Sequence, residues 1–156
     1  MDNILFRKLN EKDRELFIQL RMEYIFETFE NVNDIKYLEN NLKLYFNEHI
    51  NKKDFIGIVG EFNEKVVSVA YLIITDFPPN PGIKEGKCGT LLNVFTFPEY
   101  RKKGIAKKLI EKIIHEAKSM WIESIELKST EDGYNLYKNL GFVENSEYKN
   151  MNLRLK

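Results

Sequence analysis

The residues best suited to chemistry in this sequence lie at positions 101–106, which read Arg-Lys-Lys-Gly-Ile-Ala. An amphipathic stretch follows, and its periodicity predicts a helix over residues 102–120. The first turn of a helix has backbone N–H groups without internal partners, and the helix dipole adds partial positive charge there. Together these features suit a phosphate group. Gly104 lets a ligand approach the backbone closely, and the three basic residues before it add positive charge, so the segment predicts an anion site.

The pattern at 101–106 is neither a Walker A loop nor the Gly-x-Gly-x-x-Gly of a dinucleotide fold. Taken alone, such a basic run is also typical of a solvated surface, so its surroundings must decide. A strand predicted over residues 89–97 ends at Pro98, directly before it. One half of the following helix is apolar and should pack on a sheet. The residues of this half are Ile105, Ala106, Leu109, Ile110, Ile113, Ile114 and Ala117.

The other segments alternate between strand-like and helix-like patterns, which favours a mixed α/β domain. Asn10 is placed to cap a first helix, and Gly141 to end a short helix at 132–139. Asn63 and Glu64 suit a tight turn between two strands, and the proline-rich stretch 76–88 predicts a loop. We expect further strands at 4–9, 55–62, 65–75, 124–128 and 151–155, and a second helix at 34–49.

The composition indicates one ordinary globular domain over residues 1–156. Apolar residues make up 43% and charged residues 31% of the chain, which argues against disorder. Lys plus Arg equals Asp plus Glu at 24 each, so no net charge directs the protein to nucleic acid or an anionic membrane. Cys88 is the single cysteine, and the N-terminus lacks the pattern of a signal peptide. We therefore expect a cytoplasmic protein.

Two longer motifs give the basic segment its meaning. Residues 94–106 read Val-Phe-Thr-Phe-Pro-Glu-Tyr-Arg-Lys-Lys-Gly-Ile-Ala, and residues 136–142 read Leu-Tyr-Lys-Asn-Leu-Gly-Phe. The first resembles motif A of the GNAT acetyltransferase superfamily, V-x-V/T-x-P-E-Y-R-x-x-G-x-G/A, and the second resembles a downstream element of the same superfamily. The resemblance is most specific over 91–142. It implies a central, mostly antiparallel, splayed mixed sheet of about six to seven strands flanked by about four helices.

The resemblance also implies a ligand, acetyl-coenzyme A, and a site for it without any metal. Val94, Phe95 and Thr96 would pair with the pantetheine arm, and Thr130 stands where many members carry an Asn that touches that arm. Tyr137 matches a tyrosine near the thioester sulfur, where it would protonate the departing thiolate; it could instead be a core tyrosine. The residues implied to bind the pyrophosphate are Arg101, Lys102, Lys103, Gly104, Ile105 and Ala106.

The implied reaction is attack of a neutral amine on the thioester carbonyl. An alkylammonium has a pKa of about 10.4, so a base or a water relay helps at neutral pH. Several family members place a Glu where this chain has Leu92, so the base is not identified. Glu23, Glu30 and Asp76 are the alternatives.

Three functions remain open at this point. The first is acetylation of a primary amine on a small molecule or a peptide, with the first two helices and the 76–88 loop shaping the acceptor pocket. There Arg21 and Glu23 are either substrate contacts or surface charges. The second is a non-catalytic acyl-coenzyme A sensor, and the third is a nucleic-acid binder, which the zero net charge disfavours. A homodimer is common among such proteins, and no residue here indicates one.

Overall fold

A computed structural model describes residues 3–145 and 151–155. Within these residues five strands and four α-helices alternate along the chain, and short 3-10 turns precede α1 and α3. The elements are β1 (Leu5–Lys8), α1 (Arg14–Thr28), α2 (Ile35–His49), β2 (Phe55–Phe62), β3 (Lys65–Asp76), β4 (Lys87–Thr96), α3 (Ile105–Ser119), β5 (Ser124–Glu126) and α4 (Glu131–Asn139).

The strands form one sheet in the order β1-β2-β3-β4-β5. The first three pairings are antiparallel and the pairing of β4 with β5 is parallel. Asn63 and Glu64 close the β2–β3 hairpin with positive φ angles of 49° and 63°. A two-residue turn with positive φ at both positions matches the twist of the flanking strands, which is why this dipeptide joins them.

Local signals end and begin the helices as the sequence predicts. The Asn10 side chain accepts a backbone N–H in the following 3-10 turn, while the Asp13 carboxylate accepts the Asn10 N–H at 2.8 Å. This reciprocal pair is a capping box. Gly141 follows α4 with φ 91°, the left-handed conformation that glycine adopts without steric cost.

The two faces of the sheet are covered by different helices. Phe17 and Leu20 of α1 and Phe46 of α2 pack with Val59 and Val69 on one face. On the other face, α3 buries its apolar side against alternate residues of the same strands. The buried members of that α3 side are Ile105, Leu109, Ile110, Ile113 and Ala117. Because neighbouring strand residues point to opposite faces, one sheet supplies both cores.

The described residues differ from the sequence prediction in the number of strands. Five are present rather than six to seven, and the predicted last strand at 151–155 is wrong, since these residues form no strand and are exposed. Alternating apolar residues are necessary for a half-buried strand, but a strand also needs a neighbour for its backbone hydrogen bonds. The prediction of a mixed, mostly antiparallel sheet flanked by four helices is confirmed.

Candidate active site

A gap opens between β4 and β5 because their pairing is short. The strands pair only from Cys88 opposite Ser124 to Thr90 opposite Glu126. Beyond Thr90, β4 continues to Thr96 with β3 on one side only. The backbone N–H and C=O groups on its other side therefore face the gap, where an extended ligand can pair with them.

A bulge in β4 bends the strand at this gap. Val69 pairs with Phe95 and Tyr71 with Leu92, so that two β4 residues stand opposite Ala70 alone. One of the two, Asn93, has φ 53° and is 2% exposed. A bulge bends its strand and redirects the side chains around it, and Asn tolerates the left-handed conformation better than most residues.

Two cavities occupy this region. The larger, of about 940 Å³, lies among α1, β4, β5 and α4. The smaller, of about 660 Å³, extends to the turn before α3 and its first residues. Tyr24, Val94, Thr130 and Tyr137 line both. The two cavities therefore meet at these four residues, so molecules bound in the two cavities would lie within reach of each other.

The turn before α3 leaves backbone donors open to the smaller cavity. Lys102 and Gly104 have φ angles of 59° and 74°, so α3 begins at Ile105 rather than at residue 102 as predicted. No side chain caps this helix start, so its first N–H groups keep free hydrogen-bonding capacity. A Cβ built on Gly104 would meet nothing within 4 Å. The space above this turn is open to a ligand.

Arg101 braces the turn with both its backbone and its side chain. Its backbone N–H donates to the Pro98 carbonyl at 3.2 Å. Its guanidinium donates to the Thr96 carbonyl at 2.7 Å and to Glu27 at 2.5 Å. Lys103 donates to the Glu99 carbonyl at 2.7 Å. These contacts join β4, α1 and the turn. Because the Arg101 backbone N–H is already used, the backbone donors available to a ligand begin after Arg101.

The structure gathers nearly all residues predicted to bind the cofactor. Lys103 is the exception, because it does not line either cavity. Thr130 also has a structural role, since its hydroxyl caps α4 by accepting the Gly133 N–H at 3.3 Å. The predicted residues that line the smaller cavity are Val94, Phe95, Thr96, Arg101, Lys102, Gly104, Ile105, Ala106 and Thr130.

Tyr137 stands on α4 where the two cavities meet. Its ring packs edge-on against Phe142, with centroids 5.8 Å apart. Burial raises the pKa of Tyr137, and Tyr24 adds to the rise. The hydroxyl therefore holds its proton at neutral pH. Gly133 makes room for the ring, because a Cβ there would lie 2.9 Å from Tyr137 Cε2.

The acidic residues near the site are not those considered from the sequence. Glu23, Glu30 and Asp76 line neither cavity. Glu126 lines the larger one, and Thr90 donates to its carboxylate at 3.3 Å. The sequence signal for Glu126 was only its polar position in β5, next to the apolar Ile125. Its proximity to the site follows from the register of β5 on β4.

Arg21 is placed in the larger cavity rather than on the surface. It is partly buried on α1, donates to Asn93 Oδ1 at 2.7 Å, and lies over the Tyr24 ring with its Cζ 5.3 Å from the centroid. Burial lowers the pKa of the Arg21 guanidinium, an effect that Tyr24 opposes. The side chain stays charged at neutral pH, since arginine is not deprotonated in proteins.

Comparisons with known proteins point to one family. Residues 17–142 match the model of the acetyltransferase (GNAT) family. A predicted acetyltransferase with acetyl-CoA from Clostridium acetobutylicum is 29% identical, with a TM-score of 0.85 and 96% of each chain covered. A GCN5-related N-acetyltransferase from Ralstonia eutropha JMP134 is 22% identical, with a TM-score of 0.83, 96% of this chain covered and 98% of the other. No curated protein matches significantly.

Two further observations concern the same described residues. Among residues 3–145 and 151–155, no group of three or more His, Cys, Asp or Glu side chains is arranged to hold a metal ion. None of the helices in the described part of the chain has the length and apolarity that a membrane crossing requires.

Proposed function

This chain belongs to the acetyltransferase (GNAT) family, and we propose that it is an N-acetyltransferase that moves an acetyl group from acetyl-coenzyme A to a primary amine of a small molecule or a peptide. One observation carries the proposal. The unpaired edge of β4, the open turn before α3 and a protonated tyrosine border the same pair of connected cavities. This arrangement suits a long phosphate-bearing ligand whose far end meets a second substrate.

The residues of the smaller cavity fit the coenzyme. Its diphosphate needs backbone donors and free space, and the turn from Lys102 to the first residues of α3 offers both. Its pantetheine arm needs a strand edge, which β4 offers from Val94 to Thr96. Arg101 holds the two parts in place through Thr96 and Glu27. When bound, acetyl-coenzyme A supplies the thioester carbonyl that the amine attacks.

Tyr137 is the proposed proton donor. Burial raises its pKa, so it carries a proton under the conditions in which the thiolate leaves. Gly133 and Phe142 fix its ring, which limits the directions in which the hydroxyl points. A donor held in place loses little freedom as the reaction proceeds.

Glu126 is the proposed acceptor of the amine's proton, directly or through water. It lines the larger cavity, where the amine enters. An alkylammonium with a pKa of about 10.4 is rarely neutral at pH 7, so the amine must lose a proton before it attacks, and a nearby carboxylate is placed to accept that proton. Glu126 replaces the three acidic residues considered from the sequence, none of which lines either of these two cavities.

The test measures coenzyme binding and thiol release separately. The protein is titrated with coenzyme A, then incubated with acetyl-coenzyme A and a panel of primary amines while free thiol is followed. Amine-dependent thiol release supports the transferase. Binding without release on any amine would instead indicate an acyl-coenzyme A sensor, and absence of binding would contradict both functions.

A further inference from the structure

We infer that the amine acceptor carries an oxyanion, a carboxylate or a phosphate, which binds the guanidinium of Arg21 in the larger cavity. The inference rests on the proposed function, because it concerns the second substrate of the same site. It names the chemical class of that substrate, which neither the fold nor the family determines.

The first observation is that Arg21 has no oppositely charged partner in the part of the chain that the structure describes. Among residues 3–145 and 151–155, no carboxylate lies within 4.0 Å of its guanidinium, whereas Arg7, Arg14 and Arg101 each pair with at least one. All four side chains retain their charge at neutral pH. Of these four arginines, Arg21 alone lines the larger cavity, so its charge is open to a ligand.

The second observation is that the neighbours of Arg21 are neutral. Burial lowers the pKa of its guanidinium, and three nearby tyrosines, Tyr24, Tyr45 and Tyr71, oppose that shift. Burial raises the pKa of Tyr45 to about 12, and it raises the pKa of Tyr71 further. Both hydroxyls therefore keep their protons and supply no compensating negative charge. A partly buried cation in such surroundings binds an oxyanion more strongly than an exposed cation does.

The third observation concerns Asn93, which is 2% exposed and also lines the cavity. Its Oδ1 accepts from Arg21 at 2.7 Å, and its Nδ2 has no hydrogen-bond partner in the described part of the chain. A buried N–H without a partner is costly. Arg21 has five N–H donors and uses one of them on Asn93. The pair thus has more donors than acceptors, and the Arg21 donors that Asn93 does not use can bind the oxygens of a ligand in the cavity.

The carboxylate of Glu126 on the cavity wall fixes the orientation of the acceptor. An amine that also bears an oxyanion presents its nitrogen to Glu126 and its oxygens to Arg21. A purely cationic amine would instead meet the uncompensated charge of Arg21, which repels it. The cavity therefore selects an acceptor of mixed charge.

The experiment uses acceptors in matched pairs that differ only in the oxyanion. Phosphoethanolamine is compared with ethanolamine, and 4-aminobutyrate with butylamine, which separates phosphate from carboxylate. The measured quantity is the ratio of kcat/KM within each pair, for the wild type and for Arg21→Met. Since both proteins see the same amines, differences in intrinsic amine reactivity cancel.

We expect the wild type to prefer the oxyanion member of at least one pair, and Arg21→Met to reduce that preference by about 10- to 100-fold, the range for a charge-assisted hydrogen bond. Arg21→Lys keeps the charge and should retain part of the preference. Arg14→Met, an exposed arginine on the same helix, should leave the ratio unchanged. An equal ratio in wild type and Arg21→Met, or a wild-type preference for the members without the oxyanion, would overturn the inference.

Binding separates failure of this inference from failure of the proposed function. The same compounds are titrated into the protein saturated with coenzyme A. If no amine is acetylated, the transferase proposal fails, but tighter binding of the oxyanion members that Arg21→Met abolishes would still support the acceptor class. If amines are acetylated without any dependence on Arg21, the inference alone is wrong.

Discussion

Replacement of Gly104 tests where the diphosphate of the coenzyme binds. Gly104 has φ 74°, and a Cβ there meets nothing within 4 Å. A side chain at this position therefore costs backbone strain of about 1–2 kcal/mol, with no clash against the protein. That strain lowers the free energy of unfolding and is present with and without the coenzyme, so a loss of coenzyme affinity must come from contact with the ligand. The series Gly104→Ala, Gly104→Gln and Gly104→Glu separates strain, bulk and charge in that order.

The effect of the negative charge, which is the difference between Gly104→Glu and Gly104→Gln, can be given a magnitude. Two like charges about 4 Å apart repel by about 1 kcal/mol in water and about 4 kcal/mol at an effective dielectric constant of 20. The turn at Gly104 is exposed, so the lower part of this range applies. With about 1.4 kcal/mol for each tenfold change, Gly104→Glu should bind coenzyme A about tenfold more weakly than Gly104→Gln. Added salt should narrow that difference.

Gly141 provides the matched control. It also has a positive φ, 91°, and an open position for a Cβ, but it lines neither cavity. Gly141→Ala and Gly104→Ala should lower the free energy of unfolding by similar amounts, measured by urea denaturation. Only the Gly104 variants should lose affinity in calorimetric titration with coenzyme A. Equal affinities of Gly104→Glu and Gly104→Gln would refute a diphosphate at this turn.

Three further predictions concern the reacting groups. Tyr137→Phe should lower kcat in the thiol assay and leave the Kd for coenzyme A unchanged, and an unaltered kcat would remove this residue from the mechanism. Because burial raises the pKa of Tyr137, the kcat of the wild type should fall only above about pH 10. Gly133→Ala places a Cβ 2.9 Å from Tyr137 Cε2, so kcat should fall without loss of thermal stability, and normal turnover would show that the ring position is not critical. Glu126→Gln should lower kcat/KM near pH 7, and this deficit relative to the wild type should become smaller at higher pH. An identical pH profile in both proteins would argue against Glu126 as the proton acceptor.

The predictable parts of the fold are those that short-range chemistry decides. The apolar spacing from Ile105 to Ala117 predicts α3, and the structure buries that side. The capping role of Asn10 and the turn at Asn63 depend on residues within three positions along the chain. The family predicted from residues 94–106 is confirmed by the match over 17–142.

The site was only partly predictable, because the direction of a side chain depends on strand register. The alternation in β5 places Glu126 on the polar face of the strand, but only its pairing opposite Thr90 brings it to the cavity. The strand pattern around Asn93 did not reveal its left-handed backbone, which arises from the bulge against β3. These features follow from contacts between distant segments.

The sequence by itself determined the family and the helix α3, and it singled out the turn at residues 101–104 and Tyr137, because motifs, caps and periodicity act over a few residues. The tertiary structure alone decided which side chains line the larger cavity. Arg21 and Asn93 are 72 positions apart, and no local pattern in either segment indicates that they meet. Their contact exists because α1 packs on the face of the sheet where β4 bulges, a consequence of burying one shared core.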